Sequence, residues 1–149
     1  MDLVGKTTIV SAIQRLINSL YLPDPIKASS GHMVTAGLTV MSASDLCHLY
    51  VNDYKQFLGY RNTALLAIDD LGMESERIMK YGQECYPISE LLSYRYECRL
   101  FTIVTTNLPS SEVRPRYGDR MADRVNHMMQ VVVMPDTNFR KLSETYNPI

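Results

Sequence analysis

The sequence predicts an α/β domain built on a mostly parallel sheet. Two observations carry that expectation. Short apolar runs at 64–68 and 100–104 each stop abruptly at polar residues, as strands buried on both faces do. Helix-patterned segments alternate with those runs along the chain. A third observation sets the scale: 149 residues hold one domain with a real core and are too few for two.

The elements follow in order. Ile9, Ala12, Ile13, Leu16, Ile17 and Leu20 recur at three- and four-residue steps, which predicts a helix over 7–20 ended by Pro23 and Pro25. Residues 24–37 read as loop, and 38–41 as a short strand. Ser44 is a candidate N-cap for a helix reaching about residue 58, closed by Gly59. The run 64–68 ends in Asp69 and Asp70. A helical stretch over 74–97 is interrupted near Pro87. The strand at 100–104 ends in Thr105-Thr106-Asn107, and 109–115 reads as loop. A helix over 116–128 and a last strand over 131–134, stopped by Pro135, complete the reading.

Composition narrows the function classes. A hydrophobic fraction of 46% and a charged fraction of 21% are ordinary for a globular protein. The net charge of −1 gives no global positive field, so any nucleic-acid contact needs a local patch. Cys47, Cys85 and Cys98 are odd in number and form no CxxC pair, which argues against a disulfide framework or a zinc site and suits a reducing compartment. There is no run of membrane-spanning length and no signal-peptide pattern, so the expected location is the cytoplasm.

Four motifs carry chemistry. Gly5-Lys6-Thr7-Thr8 opens an amphipathic helix. Phosphate binding needs amide N–H groups at a helix start, a lysine for the β/γ charge, and a hydroxyl for Mg²⁺. A plain glycine turn before a helix is the alternative. Asp69 and Asp70 stand at the tip of a buried strand, where the first carboxylate can hold Mg²⁺ and the second can polarise a water. A solvated acidic turn at Gly72 is the alternative there. Asn107, after the next strand, can orient water near a γ-phosphate or simply begin an Asx turn. Arg116, Arg120 and Arg124 lie at four-residue steps, offset by Asp119 and Asp123. They read either as a surface charge network or as a cation presented to a neighbouring subunit's phosphate, where a planar, permanently charged fork is well suited.

The order of these motifs is that of an additional-strand P-loop ATPase. Residues 65–141 resemble the DnaC and IstB group of AAA+ ATPases, which comprises helicase loaders and transposition helpers. The matching text is LLAIDDLG, SELLSYRYECRLFTIVTTNLP with Tyr94 and Arg95, YGDRMADRV, and NFRK. The resemblance implies a three-layer AAA+ fold with strand order 5-1-4-3-2. It implies ATP and Mg²⁺ as cofactors. Gly5, Lys6, Thr7 and Thr8 would be what remains of Walker A, and Thr7 with Asp69 would hold the metal. Asp70 and Asn107 would act on the attacking water, Arg124 or Arg120 would be the arginine finger, and Arg140 would lie near nucleotide.

The resemblance also implies partners: a replicative helicase or a transposase, single-stranded DNA, and neighbouring copies of the chain in a ring or filament. Lys55, Arg61, Tyr50, Tyr54 and Tyr60 are the candidate DNA contacts, with side-chain packing as the tyrosines' alternative role. One departure stands out. Only four residues precede Gly5, and Leu3 stands where the family has a glycine. The expectation is therefore a domain lacking its first strand, through a truncated start, a donated strand or a rearrangement, with nucleotide binding weakened. A non-catalytic interaction module is the remaining alternative.

Overall fold

Alternation along one strand sets the architecture. The structure is a computed structural model and describes residues 5–23, 31 and 33–134. Strand β4, Leu65–Leu71, turns Leu66 and Ile68 into one apolar cluster and Ala67 into another, so both of its faces are covered. Before it come α1 (Lys6–Asn18), β1 (Tyr21–Pro23), β2 (Met33–Thr35), β3 (Leu38–Ser42), α2 (Ala43–Asn52) and α3 (Tyr54–Asn62). After it come β5 (Ile78–Lys80), β6 (Gln83–Cys85), α4 (Pro87–Glu97), β7 (Phe101–Thr106), α5 (Ser110–Tyr117) and α6 (Asp119–Met128).

Strands β3, β4 and β7 form a parallel sheet in that order, with Ser42 opposite Asp69 and Leu65 opposite Phe101. The three strands stand side by side in chain order, and the described residues form no further strand of this sheet. The register of β4 against β7 shifts between Ile68 and Leu71, so a bulge sits at the two aspartates. Helix α1 covers one face through Val10, Ile13 and Ile17 against Leu38 and Ala67. Its far end is fastened to β3 by Asn18, which accepts from the Leu38 N–H at 2.8 Å, and by Gln14, which donates to the Leu38 carbonyl at 3.0 Å. Helices α2, α3, α4 and α6 cover the other face around Leu46, Phe57, Leu91 and Met121.

Arg95 is the largest fully buried side chain among the described residues. It donates to the carbonyls of Arg61 at 2.9 Å, Thr63 at 2.6 Å and Phe101 at 2.6 Å, and to the Thr102 hydroxyl at 2.8 Å. One guanidinium thereby joins the end of α3, helix α4 and the start of β7. Burial draws its pKa down to about 10, which leaves it charged at neutral pH.

Five expectations are corrected. The helix expected over 44–58 is two helices. Ser42 rather than Ser44 caps α2, accepting from Asp45 N–H at 2.9 Å, and Asp53 opens α3 by accepting from Gln56 N–H at 3.0 Å. The stretch 74–97 is a hairpin, β5–β6, followed by α4 with Pro87 at its start. Residues 110–117 are helical rather than loop, and Gly118 at φ 82° separates α5 from α6 within the single helix expected over 116–128. Part of the expected loop over 24–37 is β2, paired antiparallel with β1. The run 131–134 is not a strand, and Val131, Val132 and Val133 are 68%, 76% and 85% exposed. Residues 1–4, which bear on the expected lack of a first strand, lie outside the described residues, as does Arg140.

Candidate functional site

Two parallel strands and one helix bring their ends together. The C-terminal tips of β4 and β7 are neighbours in the sheet, and the N-terminus of α1 lies against them. Thr7 Oγ1 donates to Asp69 Oδ2 at 2.9 Å, and Lys6 Nζ donates to Asn107 Oδ1 at 2.9 Å and to the Thr106 carbonyl. These contacts gather Lys6, Thr7, Asp69 and Asn107 at one spot.

The acidic tip is held in a defined shape. Thr105 is buried, and its hydroxyl donates to Asp69 Oδ1 while accepting from the Asp70 N–H at 2.9 Å. Asp70 adopts φ 57°, a left-handed conformation that aspartate tolerates better than most residues, and its side chain is exposed. Gly72 follows at φ 100°, where a Cβ would come 2.6 Å from the Leu108 side chain, so only glycine suits the turn. Thr106 Oγ1 donates to the Leu71 carbonyl at 2.6 Å and accepts from Leu108 N–H at 3.0 Å, closing the β7 tip against β4.

On the helix side, Gly5 is the N-cap at φ 118°, and among the described residues no side chain caps α1. The first-turn N–H groups and the helix dipole therefore face the same spot as Lys6. Thr8 is in that turn and exposed. The donor set suits a magnesium–phosphate ligand: a hydroxyl and a carboxylate as hard oxygen ligands, with an ammonium beside them for phosphate. Among the described residues no three His, Cys, Asp or Glu side chains gather into a metal cage, so a divalent ion here would draw its other ligands from phosphate and water.

No family model matches this chain, and neither does any curated protein. The reading of the site rests on its residues and their geometry.

The arginines do not share one face. Arg116 belongs to α5 and is turned inward to Glu74, whereas Arg120 and Arg124 are one turn apart on α6. Arg124 pairs with Glu97 of its own chain at 2.8 Å and lies over the Tyr96 ring at 5.3 Å, with 14% of its side chain exposed. Arg120 is exposed. Most of the candidate DNA contacts are turned to packing. Tyr50 is buried, and Tyr50 and Tyr54 both donate to Glu90, at 2.9 Å and 3.0 Å. Tyr60 packs on the core, and Arg61 stacks on Tyr94 at 3.9 Å. Lys55 alone of that set is an exposed cation.

Sequence reading missed two groups that shape the site. Thr105 was visible in the motif, but its double bond to Asp69 and the Asp70 amide needs the bulge to be seen. Glu74 had no signal beyond lying close to the acidic pair. No helix of the described residues is long and apolar enough to cross a membrane.

Proposed function

We propose that this chain is an ATP-binding and ATP-hydrolysing P-loop protein of the DnaC/IstB-like AAA+ class, acting as a DNA-replication accessory ATPase of the helicase-loader kind. The observation that carries the reading is the paired contact Lys6–Asn107 and Thr7–Asp69, which joins residues 101 and 62 positions apart in the chain. A glycine turn, an acidic turn and an Asx turn with unrelated local roles have no reason to converge.

In this reading the α1 amides and Lys6 hold the β- and γ-phosphates, and Thr7 and Asp69 hold Mg²⁺. Bound Mg²⁺ supplies charge neutralisation on the phosphates. Asp70, aimed outward by its left-handed backbone, accepts a proton from the attacking water, and Asn107 orients that water. Arg124 or Arg120 from a neighbouring copy completes the charge around the γ-phosphate. Arg124 must leave Glu97 to do so, whereas Arg120 is already exposed. A replicative helicase and single-stranded DNA are the partners of the class.

The test is ATP hydrolysis by the purified chain with and without single-stranded DNA. Turnover stimulated by DNA is expected, and either Arg120→Ala or Arg124→Ala is expected to lower it by roughly 10³-fold while leaving nucleotide binding intact. Turnover unchanged in both variants removes the arginine-finger assignment. No turnover under any condition removes the enzyme reading.

A further inference from the structure

The acidic turn is wired to the α5–α6 elbow through one buried carboxylate. Glu74 is 5% exposed and three residues beyond the β4 tip. Its Oε2 accepts from the Gly72 N–H at 2.7 Å, within the turn that the Asp70 carbonyl closes on Met73 N–H at 3.1 Å. Its Oε1 accepts from the Tyr117 hydroxyl and lies 3.7 Å from Arg116 Nη2, and that same nitrogen donates to the Glu74 carbonyl. Arg116 Nε reaches the Tyr117 oxygen at 3.2 Å, so the three side chains form a closed set.

The far side of this set is equally fixed. Arg116 and Tyr117 are the last residues of α5, and Gly118 follows directly into α6. Arg114 clasps the elbow from outside, donating to Asp119 at 2.6 Å and Asp123 at 2.7 Å. Contacts thus run without a break from the Asp69–Gly72 turn through Glu74 to the end of α5, which leads directly into the helix that bears Arg120 and Arg124. The buried Cys47 thiol senses both charges: burial pushes its pKa up to about 12, the Glu74 charge adds to that, and the Arg116 charge opposes it.

We propose that Glu74 is a positioning residue that transmits the state of the Asp69–Asp70 turn to the arginine-bearing face of α6. The mechanical link stands on the structure alone, and its use to report bound nucleotide rests on the function proposed above. A carboxylate suits the role because it alone can take an amide, a phenol and a guanidinium at once.

Amide hydrogen exchange on the full chain tests it, comparing the unaltered chain with Glu74→Gln, first in EDTA and then with Mg²⁺ and a non-hydrolysable ATP analogue. In EDTA, Glu74→Gln is expected to speed exchange about tenfold both in 70–74 and in 119–128, with α1 and α2 unchanged. With Mg²⁺ and analogue, the unaltered chain is expected to gain protection in 119–128, and Glu74→Gln to lose that gain. Faster exchange confined to 70–74 overturns the proposal. If the unaltered chain binds no analogue, the nucleotide reading fails, while the EDTA comparison still decides the link. Should Glu74→Gln not fold, Arg116→Lys, which keeps the charge but loses the fork, supports or overturns the link by the same comparison.

Discussion

Asp69→Asn is expected to lower ATP hydrolysis by about 10²- to 10³-fold while the chain stays folded. Asn matches Asp in size, and the hydroxyls of Thr7 and Thr105 can rotate to accept from its amide, so the tip of β4 keeps its shape. What disappears is the negative charge beside Thr7 that would hold Mg²⁺. Metal stabilisation of phosphoryl charge is worth several kcal/mol, and each ~1.4 kcal/mol is a factor of ten in rate. Nucleotide binding in EDTA, which the proposed function assigns to Lys6 and the α1 amides, is expected to change little. Steady-state hydrolysis and fluorescent-nucleotide titrations with and without Mg²⁺ separate the two effects. A variant that hydrolyses within threefold of the unaltered chain removes Asp69 from the metal site.

Arg95→Met is expected to cost about 3 kcal/mol of stability or more. The side chain is fully buried, and its loss leaves the carbonyls of Arg61, Thr63 and Phe101 without that donor in a closed pocket. Each buried acceptor so orphaned costs roughly 1–3 kcal/mol, and the methionine's apolar burial offsets only part of the sum. For a domain of this size the melting temperature is expected to fall by about 10 °C. Urea denaturation followed by circular dichroism measures the change, and a loss under about 1 kcal/mol contradicts the role given to Arg95. The fold, rather than the candidate site, is what this residue supports.

The parts of the fold legible in the sequence were those whose pattern is local. The run at β4 is apolar because both faces are covered, and β7 sends Ile103 and Val104 into opposite clusters, whereas of the six residues expected to form the stripe of α1 only Ile13 and Ile17 pack inward, beside Val10, and Ile9, Ala12, Leu16 and Leu20 are exposed. The hairpin β5–β6 was hidden because its strands are three residues long and a lysine stands among its inward residues: beside Ile78 and Cys85, Lys80 turns in, its ammonium donating to the Tyr50 carbonyl at 2.6 Å and sitting 4.6 Å from the Tyr54 ring centre. Its tip, Tyr81 and Gly82 at φ 52° and 78°, uses tyrosine where asparagine or aspartate is the usual signal. Helix α5 was masked by Pro109 and Pro115, which read as loop residues although one caps and the other sits inside the helix. Val131 to Val133 misled in the opposite direction: β-branched residues make a strand only where a neighbouring strand receives them, and none of the described residues does.

The site was legible as a set of residue types and not as an arrangement. Lysine, threonine, aspartate and asparagine at the starts and ends of elements were the residue types that raised the expectation of phosphate chemistry. That Arg116 would turn inward to Glu74, and that Arg124 would be engaged with Glu97, depended on the break at Gly118. That break appears only once the backbone is in view.

The central claim is that Lys6, Thr7 and Asp69 form a magnesium–nucleotide site. Isothermal titration of the chain with ATP and Mg²⁺, beside Lys6→Ala, tests it most directly. Saturable binding, weakened at least tenfold by Lys6→Ala in a protein that melts at the same temperature, is the predicted result. Binding unaffected by Lys6→Ala, or no binding by the well-folded chain, contradicts it.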